Sequence, residues 1–156
     1  MDATEEQAML RLVQRLVAIR SVNGQEGEKA VVDCLLQEAG KLGLKGETFG
    51  VTEDRPNVVF SIGQGPARFL FVAHLDTGIE RRYILFEYQT QFWQRESMLI
   101  NSFLGSPIVV AVGDTAKWNH PPFAGEVEDG RLYARGACDN KGGIGNRLLA
   151  LVLILR

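Results

Sequence analysis

His74 and Asp76 stand two residues apart at the end of the apolar run FLFVAHLDT, residues 69–77. Side chains alternate along a strand, so the pair emerges on one face while Leu75 points away. An imidazole with a carboxylate close behind it suits a divalent metal. One ring nitrogen can ligate and the carboxylate can orient the other. The other reading of the same residues is a hydrogen-bonded histidine at a strand end. A second stretch, YARGACDNKGG at 133–143, offers Asp139 as a carboxylate free to ligate, in a glycine-rich loop where backbone can approach closely.

The elements that must position these groups follow from periodicity and punctuation. Thr4 and Gln7 have the spacing of a capping box, and Leu10, Val13, Leu16 and Val17 share one face, which predicts an amphipathic helix of about four turns. SVNGQEG at 21–27 reads as a turn. Val31, Leu35 and Leu42 mark a second helix, with Gly43 placed to end it. GETFG is a short strand candidate, and NVVFSIG at 57–63 and ARFLFVAHLD at 67–76 are stronger ones, separated by the GQGP turn. The order of elements predicts an α/β fold: an incomplete mixed sheet flanked by helices, with ligands gathered beyond its strand ends.

Residues 118–136 begin as a proline-rich loop and continue as a hairpin, with Asp129-Gly130 as the tight turn between GEVE and RLYA. His120 is expected to serve at the surface or in packing, and Trp118, Phe123 and Tyr133 to pack beneath the loop. Cys138 reads as a small buried thiol rather than a ligand. Lys141 reads as a solvated or structural lysine in preference to a partner for a substrate carboxylate. The chain then runs into RLLALVLILR, a helix apolar nearly all round that calls for partners on every side. The C-terminus is therefore expected to be a cut.

Composition bounds the partners. The 156-residue chain has a net charge of −2 and 46% hydrophobic residues, as a globular domain does. That charge gives no reason to expect nucleic acid or an anionic membrane as partner, since those need a basic patch or stripe, so a small molecule is the expected partner. The acidic start MDATEEQAML lacks the pattern of a secretory signal, and no apolar run reaches the length of a membrane span. The expected localisation is cytoplasmic, with Cys34 and Cys138 reduced.

Taken in order, HLDT, then VGD, then KWNHPPFAGEVEDGRLYARGACDNKGG resembles the zinc-dependent amidohydrolase and metallopeptidase family of aminoacylase, acetylornithine deacetylase, succinyl-diaminopimelate desuccinylase and related carboxypeptidases. The resemblance is loose over residues 5–77 and close over 110–150. It implies the N-terminal part of a two-zinc exopeptidase-like catalytic domain that hydrolyses an amide of an N-acyl amino acid or peptide. His74 is implied to ligate one zinc, Asp139 to bridge two, and Asp76 to orient His74 and support catalysis from behind it. Cobalt or manganese are the alternative ions. The peptide bond after Asp139 is implied to be cis. The family's further ligands, its acidic general base and its lid or dimerisation domain come from residues not in this chain, so the fragment is expected to be inactive alone and homodimerisation to need the missing domain. The rival readings are a zinc aminopeptidase of a related clan and a non-catalytic truncated homologue.

One stretch departs from the family pattern. In the family, HLDT runs directly into a loop like the one at 110–114. Here residues 78–109 intervene, holding Tyr83, Phe86, Tyr88, Phe92, Trp93 and Phe103, about half of the chain's aromatic residues. Deleting them joins Thr77 to Val110 and restores HLDTVAVGD. A retained intron fits the reading frame, since a Gly78 codon GGT holds a GT donor and a Val109–Val110 junction GTA-G holds an AG acceptor. The alternative is a genuine inserted loop.

Overall fold

A computed structural model of the chain describes residues 3–64, 71–77 and 112–154. Three helices and two short antiparallel ladders make up the described fold, which is of the α/β class. The atypical stretch 78–109 lies outside the described residues.

Helix α1 spans Ala3–Ala18 and buries Leu12, Val13, Leu16 and Val17 along one face. It already includes Thr4, so the expected capping box does not start it. Helix α2, Lys29–Lys41, buries Val31, Val32, Cys34, Leu35 and Ala39. Its end is a Schellman motif. Gly43, at φ +80, lets its N–H reach the Gly40 carbonyl at 3.1 Å, while the Leu44 N–H returns to the Ala39 carbonyl at 2.9 Å. This geometry corrects one expected core residue: Leu42 faces outward at 41% exposure, and Leu44, beyond the glycine, is buried in its place.

Strands β1, Gly46–Phe49, and β2, Asn57–Phe60, pair antiparallel, with Gly46 opposite Phe60 and Phe49 opposite Asn57. Val58, Val59 and Phe60 are buried. The strand at 57–63 thus takes its partner from the preceding residues. The second half of the GQGP turn and the start of the strand expected at 67–76 lie outside the described residues. Residues 71–76, the remainder of that expected strand, form no ladder among the described residues. Their one sheet-like contact is a parallel bridge between Val22 and Thr77. A stretch held by a single bridge must be positioned by other bonds, which are described with the site below.

After the 3-10 turn Thr115–Lys117, strands β3, Glu126–Glu128, and β4, Arg131–Tyr133, form the expected hairpin. Asp129 and Gly130 both adopt positive φ, 48° and 73°, as a tight turn between twisted strands requires. Helix α3, Gly142–Ile154, buries Ile144, Leu148, Leu151 and Val152. These join Leu12 and Leu16 of α1, Leu35 of α2, Val58 and Phe60 of β2, and Leu75 in one core. Among the described residues no helix is long and apolar enough to cross a membrane.

Candidate metal centre

Leu75 is 6% exposed and sits in the core, which turns its neighbours His74 and Asp76 to the opposite side. The stretch carrying them is strapped to residues 19–23, just past the end of α1. Ser21 Oγ donates to the Leu75 carbonyl at 2.9 Å, and the Thr77 N–H donates to the Ser21 carbonyl at 2.8 Å. The Asn23 N–H donates to the Thr77 carbonyl at 2.7 Å, and Asn23 Nδ2 donates to Asp76 Oδ2 at 2.8 Å. These bonds do for residues 75–77 what a sheet ladder would otherwise do.

Asp139 reaches the same place from the other side of the fold. Gly136 adopts φ +83, a conformation that costs an L side chain but not glycine. That turn lets the Lys141 N–H close on the Gly136 carbonyl at 2.8 Å. Within it Asp139 (φ −132, ψ 90) and Asn140 (φ −135, ψ 15) leave helical geometry, and the peptide bond between them is cis. A Cβ on Gly136 would stand 2.8 Å from Thr77 Cγ2, so the two stretches touch at this glycine.

The result is a chain of three polar groups. His74 Nε2 lies 2.9 Å from Asp139 Oδ1, and His74 Nδ1 lies 3.2 Å from Asp76 Oδ1 and 3.1 Å from the Asp76 carbonyl oxygen. The hydrogen bond to Asp76, opposed by burial and helped by Asp139, pushes the His74 imidazolium up to about 9. Burial acts to raise the Asp76 carboxyl, but the bonds from His74 and Asn23 outweigh it and hold Asp76 below its ordinary value. Without a metal the imidazole therefore carries a proton at neutral pH, and a cation at Nε2 must displace it.

The donor set fits a divalent ion. An imidazole nitrogen and a carboxylate oxygen converge, and a second carboxylate sits behind the ring's other nitrogen. Among the described residues no group of three or more His, Cys, Asp or Glu gathers as a complete metal site.

The remaining candidates fall elsewhere. His120 serves the hairpin: its Nδ1 lies 2.7 Å from Glu126 Oε2, and its ring stacks on Tyr133 at 4.1 Å between centroids. Trp118 donates to the Val112 carbonyl at 2.8 Å, and Phe123 lies under the Arg20 guanidinium. Cys138 is exposed, contrary to expectation, because the turn around Asp139 swings it outward. Lys141 is structural and wholly buried, and its Nζ donates to the Ile19 carbonyl at 2.6 Å. Burial pulls its ammonium down to about 8, with Asp76 opposing.

The sequence pattern singled out neither Ser21 nor Asn23. Both read there as turn residues, and nothing local distinguishes a turn that solvates its polar groups from one that clamps a distant strand.

Residues 109–155 match the model of peptidase family M20/M25/M40. The succinyl-diaminopimelate desuccinylase of Rhodopseudomonas palustris (strain BisA53) is 51% identical over 53 residues, which are 34% of this chain and 14% of that protein. The same enzyme of Methylorubrum extorquens is 53% identical over an equal span. Among solved structures, the M20 family metallo-carboxypeptidase Sso-CP2 from Sulfolobus solfataricus superposes with a TM-score of 0.63 at 23% identity, covering 99% of this chain and 28% of its own. The match thus spans about one seventh of the desuccinylases and little more than a quarter of the carboxypeptidase. Residues 109–155 are thus similar in sequence to peptidase family M20/M25/M40, and the chain is similar in fold to part of an M20 family metallo-carboxypeptidase.

Proposed function

We propose that this chain is part of the catalytic domain of a metal-dependent hydrolase that cleaves the amide bond of an N-acyl amino acid or peptide, with His74 and Asp139 as metal ligands and Asp76 as the group that orients His74. The observation that carries this is the 2.9 Å approach of His74 Nε2 to Asp139 Oδ1, across 65 residues of chain, with Asp76 behind the ring. The desuccinylase relatives point to an acylated amino acid as the substrate class. A pair of zinc ions at this position would supply Lewis-acid polarisation of the scissile carbonyl and acidification of a water. The chain's own part is to hold the two donors convergent, to fix the ring through Asp76, and to release the His74 proton as the site fills.

A catalytic zinc takes three protein ligands and a water, whereas His74 and Asp139 are two donors. The isolated chain should therefore bind zinc weakly and turn over no substrate. Calorimetry with Zn2+ tests the first point: binding should be weaker than micromolar and vanish in His74→Ala and Asp139→Ala. Stoichiometric submicromolar binding, or binding indifferent to both substitutions, would refute the assignment. Assays of N-succinyl and N-acetyl amino acids against unblocked aminoacyl amides, run on a longer protein containing this chain, separate deacylase from aminopeptidase.

Residues 78–109 are best read as an insertion foreign to the domain. The family match begins at residue 109, where that stretch ends. Sequencing the mature transcript decides its origin: a message lacking the segment supports a retained intron, and one carrying it in most copies rules that out.

A further inference from the structure

Asp139 is the less firmly held of the two proposed ligands. Its side chain is 54% exposed against 28% for His74, so burial does not place it and its turn must. That turn is tied down at Lys141. The Lys141 backbone closes the turn on Gly136, and its side chain, 0% exposed, crosses to the Ile19 carbonyl at 2.6 Å, 122 residues away. Ile19 begins the same five-residue segment whose Ser21 and Asn23 hold Leu75, Asp76 and Thr77. One short segment after α1 thus grips both ligand-bearing stretches, the first through Ser21 and Asn23 and the second through a buried ammonium.

Packing alone does not call for a lysine here. A buried ammonium loses its hydration, whereas methionine has a similar reach and no charge to desolvate. What methionine lacks is the donor that fixes the turn to Ile19. We propose that Lys141 is a positioning residue for the metal centre: by bonding the Ile19 carbonyl it sets Asp139 at ligand-sharing distance from His74. This rests on the metal reading above.

The test compares Co2+ affinity and melting temperature for the unaltered chain, Lys141→Met, Lys141→Gln and Leu16→Ala, titrating the cation alone. Leu16 lies in the core, 0% exposed, and serves as a purely structural control. Removing a group that orients a ligand typically weakens metal binding by about 10- to 100-fold. Both Lys141 variants, methionine with no donor and glutamine with an amide donor one bond too short to reach the Ile19 carbonyl, should therefore bind Co2+ at least about tenfold more weakly. Leu16→Ala should lower the melting temperature at least as much yet keep its affinity within about threefold. If Lys141→Met fails to fold, Lys141→Gln carries the comparison. A folded Lys141 variant that binds as the unaltered chain does would overturn the positioning role alone. So would an equal loss of affinity in Leu16→Ala. Absence of Co2+ binding by the unaltered chain would overturn the metal reading, and this inference with it.

Discussion

The two stretches that meet at the candidate centre are both tied to residues 19–23, but they differ in how much of their geometry is local. Residues 136–142 carry most of their geometry within themselves. Gly136 supplies the positive φ, and the Lys141 N–H closes the turn. Residues 71–77 carry almost none. Among the described residues they have one bridge, to Val22, and beyond the packing of Leu75 take their position from hydrogen bonds to Ser21 and Asn23. A locally closed turn is written in neighbouring residues. A stretch held by side chains more than fifty positions away is not.

Four substitutions or conditions sharpen that contrast. The largest effect is expected from Gly136→Ala, at the point where the stretches touch. An L residue at φ +83 costs about 1–2 kcal/mol, and the new methyl collides with Thr77 Cγ2. A total loss of about 3 kcal/mol in urea unfolding is expected. Adding Thr77→Ser, which deletes that methyl, should recover part of it, and additive losses would show that the two stretches do not press on each other.

Next is Ser21→Ala, which removes the buried donor to the Leu75 carbonyl. It should cost about 1–3 kcal/mol, measured as a lower urea midpoint with an unchanged slope. A neutral result would show that packing of Leu75 alone suffices to hold residues 71–77.

The third concerns pH in the metal-free chain. His74 is raised from 6.5 to about 9, so its bonds to Asp76 and Asp139 contribute fully below about pH 6.5 and are lost as pH rises through 9. Asp76, held below its ordinary value, stays ionised throughout this window. Lys141 runs the other way, since its ammonium is held down to about 8 and its desolvation cost is relieved as it deprotonates. The melting-temperature difference between the unaltered chain and His74→Gln cancels the Lys141 contribution. It should be a few degrees at pH 6 and shrink towards pH 10. A difference that grows with pH would contradict the ion-pair arrangement.

The smallest effect belongs to Gly43→Ala. This glycine is also at positive φ, +80, but among the described residues no atom beyond its chain neighbours stands within 4 Å of its would-be Cβ. Only the backbone penalty remains, about 1–2 kcal/mol. Metal affinity should not change, because the end of α2 does not touch the centre.

Much of the secondary structure was legible for the same reason that the 136–142 turn is. The periodic faces of α1 and α2, the glycine after α2 and the Asp129-Gly130 hairpin are short-range patterns whose physics is settled within a few residues. Misplaced expectations cluster where the path of the chain, rather than residue type and spacing, decides. Residues 71–76, read as strand, form no ladder among the described residues. Leu42 gave way to Leu44 because the Schellman turn reverses the chain there. Cys138 was turned outward by the local path around Asp139.

By residue type and spacing alone, the sequence determined that His74 and Asp76 share a face, that Asp139 lies in a turn glycine makes accessible, and that amphipathic helices surround them. Tertiary structure decided that the imidazole and the distant carboxylate stand 2.9 Å apart and that residues 19–23 join the two stretches. It also decided that Lys141 lies inside the fold. The reason is the range of the forces: backbone sterics and periodicity act over a few residues, whereas burial and cross-chain hydrogen bonds exist only after collapse has chosen which segments meet.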